Sequence, residues 1–156
     1  MTDCAWPDLS GRLDVDEAGR FHRLAIRVYF EDTDFSGVVY HASYLRWCER
    51  GRSDFLRLLG NNHEALFSGN NTCEPAAFVV RRMSLEFLKP ARIDDIVIVE
   101  TRLDGMGAAT LQLKQTVKKQ NQPIFETDVL VVLMGLSGKP QRLSQRLRKT
   151  FLDWVT

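Results

Sequence analysis

The stretch "YFEDTDFSGVVYHASYLRWCERGR", from Tyr29 to Arg52, joins a strand-like segment to a helix-like segment. Leading into it, every second residue is apolar, which is the period of a strand with one buried face: Leu24, Ile26, Val28 and Phe30. From His41 to Leu59 the apolar residues instead recur at helical spacing and form a broad stripe, made by Tyr44, Leu45, Trp47, Cys48, Phe55, Leu56, Leu58 and Leu59. We therefore predict a first strand followed by a long helix that other structure surrounds.

The junction between these two elements carries acidic residues that neither element needs in order to fold. Asp32 and Asp34 follow the strand, Gly37 permits a tight or left-handed turn, and the helix begins near Tyr40 or His41. A helix N-terminus presents unpaired N–H groups and about half a positive charge, which suits a negatively charged oxygen. A carboxylate facing such a site is the minimum set for acyl transfer.

Each of these residues also has an ordinary structural interpretation. An aspartate before a helix is most often an N-cap or turn residue, and a lone histidine such as His41 is usually a surface or hydrogen-bonded residue. Glu49 and Arg52 have the spacing of a simple ion pair within a helix, and Cys48 lies on the apolar stripe. Taken singly, these residues leave both interpretations open.

The rest of the chain predicts an α+β fold. Four further strands, at residues 77–88, 96–103, 108–118 and 124–136, are separated mostly by turn sequences typical of hairpins. We expect an antiparallel sheet of about five strands against one central helix, with a short helical piece at 63–67 and a C-terminal helix carrying Leu143, Leu147, Phe151 and Trp154. The last strand is apolar on both faces, so we also expect self-association.

Composition narrows the function classes. The 156 residues are 44% apolar, enough for one domain with a real core, and a net charge of +1 argues against a protein that coats nucleic acid. The three cysteines fit neither a disulfide framework nor a zinc site. The acidic start is unlike a secretory signal and no apolar run is long enough to enter a membrane, so we expect a cytoplasmic protein. We predict a poorly ordered extension at 1–22 and a single domain at 23–156.

The Tyr29–Arg52 stretch closely resembles the signature of the 4-hydroxybenzoyl-CoA thioesterase family of hotdog-fold proteins. Within that family it is most similar to the acyl-CoA thioesterase branch associated with the Tol-Pal system. A second block, "FVVRRMSLEFLKPARIDD" from Phe78 to Asp95, and the run "VLVVLM" near the end of the chain also resemble this branch. The resemblance covers roughly residues 23 to 143. Its matching positions are Tyr29, Glu31, Asp32, Thr33, Asp34, Gly37, Val38, Val39, Tyr40, His41, Tyr44, Glu49, Arg50 and Arg52.

The resemblance implies a long helix wrapped by a curved antiparallel sheet. It implies that Asp34 is the catalytic carboxylate, as nucleophile or as general base, and that the backbone N–H at His41 holds the thioester oxygen. We expect the His41 side chain to support catalysis by orienting water or Asp34. A thiolate leaving group, with a pKa of about 8.5, needs no strong general acid. Substrate contacts are expected from the surrounding loop, at Tyr29, Gly37, Val38, Val39 and Tyr40.

Coenzyme A would bring phosphates to this site. Arg81, Arg82, Lys89 and Arg92 are candidates to meet them, although charged residues on the wet face of a strand are the commoner explanation. No metal-ligand cluster, Walker loop or dinucleotide fingerprint is found in the sequence, and we expect no metal and no cofactor. The expected partners are an acyl-CoA substrate, acyl carrier protein, and further copies of the chain as a dimer or a tetramer of two dimers.

The leading hypothesis is therefore an acyl-CoA thioesterase. The alternatives are a hotdog adaptor that binds acyl-CoA or acyl carrier protein near envelope or phospholipid metabolism, and hydration of an enoyl thioester. Phe35 and Ser36 stand where the branch usually has small residues, which leaves the acyl chain open. Gly51 costs a helix roughly 1 kcal/mol unless a close contact compensates.

Overall fold

The computed structural model describes residues 9–69, 72 and 74–155. The elements in chain order are β1 Arg12–Asp16, β2 Gly19–Arg27, a 3-10 turn Phe30–Asp32, α1 His41–Leu58, α2 His63–Phe67, β3 Ala76–Phe87, β4 Ile96–Met106, β5 Thr110–Lys119, β6 Gln122–Gly135 and α3 Gln145–Val155. The long helix and the short one at 63–67 are confirmed. The C-terminal helix is confirmed for Leu147, Phe151 and Trp154, but it begins at Gln145 and so does not include Leu143.

The strands form one antiparallel sheet in the order β1-β2-β4-β5-β6-β3. β4, β5 and β6 follow one another as hairpins, whereas β3 crosses over to pair with β6 at the far edge. Within the described residues the sheet thus has six strands, where the sequence predicted about five. One long helix packed against an antiparallel sheet is the predicted hotdog arrangement.

The predicted N-terminal boundary is wrong for residues 12–22. Instead of belonging to a poorly ordered extension, they form β1 and the start of β2, joined by a turn in which Gly19 has a positive φ of 111°. The Asp-rich composition hid the strand, because Asp14 and Asp16 face arginines: Asp14 pairs with Arg23, and Asp16 pairs with Arg102. The extra strand covers the edge of β2. Residues 1–8 lie outside the described residues.

Two apolar clusters hold α1 against the sheet. The first half of the helix buries Tyr44, Trp47 and Cys48 against β2 and β4, and the second half buries Phe55 and Leu56 against β5, β6 and α3. The apolar stripe predicted from the sequence therefore does face the sheet. The start of α1, where the catalytic loop enters, lies at the first cluster.

Gly51 lets the helix approach the sheet closely. A Cβ at this position would lie 2.9 Å from Val99 Cγ1, 3.2 Å from Thr101 Oγ1 and 3.3 Å from Gln115 Nε2. The close contact that the sequence required to offset the cost of a glycine in a helix is present.

β3 lies at one edge of the sheet, opposite β1. Its register with β6 places five apolar residues on the inner face, opposite the odd-numbered residues of β6 that point into the core: Phe78, Val80, Met83, Leu85 and Phe87. Of these, Val80, Leu85 and Phe87 remain substantially exposed in a single chain. A long edge strand with exposed apolar side chains is unusual in an isolated protein.

Candidate active site

The loop between β2 and α1 is fixed by its own hydrogen bonds. After Val28, the chain turns through Phe30–Asp32, and the Asp32 carboxylate accepts the backbone N–H of Tyr29 at 2.8 Å. The Asp32 backbone carbonyl accepts the N–H of Tyr40 at 2.8 Å. Asp32 thus closes the loop at both ends.

A tight turn presents Asp34. The backbone N–H of Asp34 donates to Val38 O at 2.9 Å, and the N–H of Gly37 donates to Asp34 O at 3.0 Å. Gly37 has a φ of 78°, in the left-handed region that other residues adopt at a cost, so the predicted need for glycine is confirmed. The turn carries Asp34 at one end and delivers the chain to the helix at the other.

The helix start is open. Tyr40 occupies the N-cap position of α1 but its side chain accepts no capping hydrogen bond, and no acidic residue lies in the first turn. The first N–H groups of a helix have no partner within the helix itself. The positive end of α1 at His41 is therefore not neutralised by a side chain of its own first turn.

Tyr44 ties the helix to the segment beside the loop. Its hydroxyl accepts the backbone N–H of Ala91 at 3.1 Å, and Ala91 O in turn accepts the N–H of Val39 at 2.9 Å. The Tyr44 ring stacks on Phe125 and meets Phe87 edge-on, with centroids 5.2 and 5.7 Å apart. Burial raises the pKa of Tyr44, so the phenol stays neutral.

A cavity of about 270 Å³ lies beside the helix start, lined by Val39, His41, Tyr44, Phe87, Leu88, Lys89 and Pro90. The His41 ring lies 4.4 Å from that of Tyr40 and 6.4 Å from that of Phe87, between centroids. The aromatic side chains of Tyr44 and Phe87 thus share this cavity with His41 and with the positively charged Lys89.

Asp34 is ionised at neutral pH. Its Oδ1 accepts hydrogen bonds from both the hydroxyl and the backbone N–H of Ser36, and these two bonds lower the pKa of the carboxyl. The nearby His41 lowers the pKa further. In a single chain the carboxylate is exposed to solvent. The arrangement supplies a charged, oriented carboxylate beside an uncapped helix start.

The predicted site residues fall into four groups. Val39, His41 and Lys89 line one cavity, and Asp34, Gly37, Val38 and Tyr40 belong to the turn and helix cap next to it. Tyr29 is largely exposed at the opposite end of the loop. Arg81 and Arg82 are exposed in the middle of β3, at a bulge, and do not line this cavity.

Sequence reasoning missed several contributors. Tyr44 was assigned to the apolar stripe, and its hydroxyl contact depends on a segment far along the chain. Ser36 was noted only as a departure from the family, although a serine two residues after an aspartate is a recognisable turn signal. Phe87 reaches the cavity through the β3–β6 pairing, which no local pattern reveals.

Cys48 and the Glu49–Arg52 pair have structural roles. Burial raises the pKa of the Cys48 thiol to about 12, so it is a core residue and not a nucleophile. Arg52 pairs with Glu49 as their spacing predicted, and also donates to the Gln115 side chain at 2.8 Å. Gln115 donates in turn to Cys48 O at 2.9 Å, which links α1 to β5.

Neither metal nor membrane features emerge from the described part of the chain. Among residues 9–69, 72 and 74–155, no cluster of three or more His, Cys, Asp or Glu side chains could hold a metal ion. Over the same residues, no helix combines the length and the apolar character that crossing a bilayer requires.

A sheet wrapped around one long helix, with a carboxylate-bearing loop at the helix start, is the arrangement of a hotdog-fold thioesterase. The comparisons agree with this class. The family model described as Thioesterase superfamily matches residues 36–125, a range that begins just after Asp34. The chain belongs to the Thioesterase superfamily.

Individual relatives support the same membership. The chain is 40% identical to the acyl-CoA thioester hydrolase YbgC of Escherichia coli over 83% of its own length and 94% of that protein. It is 29% identical to a chloroplast acyl-acyl carrier protein thioesterase of Arabidopsis thaliana, over 97% of this chain and 76% of that protein. A probable thioesterase from Bartonella henselae, solved as a crystal structure, is 43% identical with a TM-score of 0.76, covering 79% of this chain and 98% of that one.

Proposed function

We propose that this protein hydrolyses acyl-CoA thioesters to a free carboxylic acid and coenzyme A. The observation that carries the proposal is the Asp34 carboxylate, held ionised by Ser36 on a loop that hydrogen-bonds into the uncapped start of α1. A carboxylate and a set of backbone donors are the two elements that thioester hydrolysis requires.

The chemistry follows from these two elements. The substrate carbonyl oxygen accepts the backbone N–H of His41, which stabilises the negative charge that develops on it. Either Asp34 takes a proton from a water molecule that attacks the carbonyl carbon, or Asp34 attacks first and water cleaves the resulting anhydride. In both routes the C–S bond breaks and the thiolate of coenzyme A leaves and is protonated. The His41 ring orients the water or Asp34.

Substrate contacts are assigned by position. Gly37, Val38, Val39 and Tyr40 form the wall next to the reacting carbonyl, and Tyr29 contacts the substrate from the far end of the loop. Lys89 lines the cavity and meets the negative charge of coenzyme A. We assign Arg81 and Arg82, exposed on the edge strand, to the phosphates of a coenzyme A bound across that edge.

A second copy of the chain completes the site. Asp34 is exposed in the single chain, and the neighbouring edge strand β3 exposes apolar side chains along its inner face. We propose that two copies pair along β3, as a dimer or as a tetramer of two dimers, and so remove bulk water from Asp34. Exclusion of water strengthens the electrostatic interactions at the carbonyl.

The Tyr29–Arg52 signature also supports a proposal for the branch of the family and for the cellular location of the protein. We assign the chain to the Tol-Pal-associated acyl-CoA thioesterase branch and to the cytoplasm. A single domain that includes β1 and the whole of β2 is part of the same proposal.

Thiol release from a panel of acyl-CoA chain lengths tests the activity. The wild type should release thiol, and Asp34→Asn should reduce kcat/KM by about a hundredfold or more while the circular dichroism spectrum is unchanged. Asp104→Asn, which changes an exposed aspartate on β4, is the matched control and should keep wild-type activity. Absence of thiol release from every chain length in the wild type would reject the enzyme and leave the adaptor.

Acyl carrier protein is a second candidate for the group that carries the acyl chain. The observation in its favour is the similarity to the chloroplast acyl-acyl carrier protein thioesterase, which extends over 97% of this chain. The same acyl chain presented on coenzyme A and on acyl carrier protein should be hydrolysed with different kcat/KM values. A higher value for the carrier protein would make it the preferred donor.

A further inference from the structure

α1 and β3 approach each other near both of their ends and run in opposite directions. Tyr44, near the start of α1, meets Phe87, near the end of β3, with ring centroids 5.7 Å apart. At the other end, Phe55 of α1 and Phe78 of β3 line a second cavity. The five inner-face apolar residues of β3 connect the two ends. The cavity beside His41 and this second cavity therefore share the same helix and the same strand.

The second cavity has a volume of about 70 Å³ and walls that are mainly apolar. Leu111, Leu113 and Val131 of the sheet are buried around it, and Phe78 and Phe151 form an aromatic pair on its wall, with centroids 6.4 Å apart. Each water-sized occupant needs about 10–15 Å³ of such space, so the cavity has room for about five groups of that size. A methylene group is similar in size to a water molecule.

The polar side chains in this wall already have partners within the protein. Arg52 has a side chain only 10% exposed, and its guanidinium pairs with Glu49 and donates to the Gln115 side chain at 2.8 Å. His63 Nε2 lies 2.9 Å from Ser53 Oγ, which links α2 to α1 at the cavity. The charge of Arg52 is thus balanced within the protein. The cavity suits a neutral apolar occupant better than an anion.

The position of the cavity along α1 points to that occupant. Arg52 follows His41 by eleven residues, about three helical turns, so the two side chains lie on nearly the same face of the helix. Glu49, the nearest wall residue, lies about 12 Å along the helix axis from His41 at 1.5 Å per residue. An extended chain advances about 1.2 Å per bond, so about ten carbons separate the two places.

We propose that the acyl chain of the substrate runs from the helix start along the inner face of β3 and ends in this second cavity. The inference rests on the proposed thioesterase function. Ten carbons reach the cavity and about five more fill it, which sets the preferred acyl group at about ten to fifteen carbons. Phe78 and Phe151 set the upper limit. Val80, which lines the cavity from the edge strand, controls entry.

Binding of non-hydrolysable S-alkyl-CoA thioethers tests the proposal independently of catalysis. Isothermal titration with alkyl chains of four, twelve and sixteen carbons should show affinity rising from four to twelve, by up to about fourfold for each further methylene that is buried. Val80→Trp fills the cavity and should reduce the twelve-to-four affinity ratio by about tenfold or more. Phe78→Ala enlarges it and should move the preference toward sixteen carbons.

Val79→Trp is the matched control. Val79 and Val80 are each 43% exposed on the same edge strand, but Val79 pairs with Val132 on the outer face of the sheet. Light scattering on each variant checks that the oligomeric state is unchanged. Val79→Trp should keep the wild-type ratio. Equal loss in Val79→Trp and Val80→Trp, or a ratio that none of the variants alters, would overturn the proposal.

These experiments can reject the thioesterase activity and the acyl-chain site independently of each other. Thioethers that bind with the expected chain-length dependence, in a protein that hydrolyses no acyl-CoA, would reject the thioesterase and retain the cavity as a site for acyl chains. If Val80→Trp and Phe78→Ala still hydrolyse acyl-CoA with the chain-length preference of the wild type, the thioesterase function stands. The second cavity is then rejected as the site of the acyl chain.

Discussion

The Tyr44 hydroxyl accepts the backbone N–H of Ala91 at 3.1 Å, and through this bond the first turns of α1 are held against the strand-like segment that pairs with Val38 and Val39. The helix start and the catalytic turn therefore share one support. A change at Tyr44 should alter the distance between the Asp34 carboxylate and the N–H groups of the helix.

Tyr44→Phe removes this support and leaves the aromatic packing in place. We expect the free energy of unfolding to fall by about 1 kcal/mol, the usual value of one hydrogen bond, and kcat to fall by about tenfold with little change in KM. Denaturant titration and steady-state kinetics measure the two effects. A loss of stability with an unchanged kcat would show that Tyr44 supports the fold and not the site.

Ser36→Ala should change the pH dependence of hydrolysis. The Ser36 hydroxyl and backbone N–H lower the pKa of Asp34, so the active carboxylate persists to acid pH in the wild type. Removing the hydroxyl raises this pKa toward its ordinary value. The acid limb of kcat/KM should therefore move to higher pH, while activity at neutral pH is largely kept. A limb at the same pH in both proteins would mean that a group other than Asp34 controls it.

Gly51→Ala should destabilise the protein despite the better helix propensity of alanine. The added Cβ would lie 2.9 Å from Val99 Cγ1, and overpacking of this kind costs about 1–3 kcal/mol, against a gain of about 1 kcal/mol in propensity. Gly105→Ala is the control, because its Cβ would meet only Gln112 Cβ at an ordinary 3.7 Å. Thermal unfolding of both variants measures the difference in stability. Equal melting temperatures would contradict the close approach of α1 to the sheet at Gly51.

His22 should make stability depend on pH. It lies 2.6 Å from Asp54, yet burial outweighs this partner and lowers the pKa of the ring from its usual 6.5, so the folded protein holds it neutral. As pH falls through 6.5 the unfolded chain binds the proton first, and stability is lost toward the lower folded pKa. The loss is at most about 1.4 kcal/mol per pH unit.

The titration of Asp54 does not overlap the pH range in which His22 changes the stability. Burial raises its pKa, but hydrogen bonds from His22, the Gly11 backbone and Arg57 outweigh burial and leave the pKa lowered, so its stabilising effect is lost only at more acid pH. His22→Gln should flatten the stability profile below about pH 6.5.

Leu85→Lys should weaken self-association. Leu85 is 39% exposed on the inner face of β3, and a lysine there would place a charge in the proposed interface between copies. We expect smaller particles by light scattering and a parallel loss of activity. Leu13→Lys is the control at the opposite edge, on β1, where Leu13 is 42% exposed. Equal effects of the two variants would contradict pairing through β3.

The sequence predicted the elements better than their connections. The period change at the Tyr29–Arg52 stretch located α1, because its apolar stripe is decided within one helix. β1 was missed because its acidic residues resemble a disordered segment until Arg23 and Arg102 are brought next to them. The pairing of β3 with β6 was missed for the same reason, since it is decided by contacts distant in sequence.

For the site, as for the fold, the sequence predicted the residues that are close together in the chain but not the contacts between distant segments. Asp34, Gly37 and His41 lie within a few residues of one another, so local chemistry and a resemblance to a family located them. The pKa of Asp34 depends on Ser36, which was in view but whose hydroxyl contact was not considered. Tyr44, Phe87 and the cavity beyond Glu49 depend on the sheet being assembled, and no local pattern carries that information.

The position of β3 has a consequence for how the chain folds. β3 precedes β4 and β5 in the sequence, but its partner among the described strands of the same chain is β6, which follows them, so its docking must wait for a long loop to close. During synthesis β3 therefore remains unpaired until the last strand emerges from the ribosome. A chain interrupted before Gln122 would contain the whole catalytic loop and still lack the strand that secures the wall beside it.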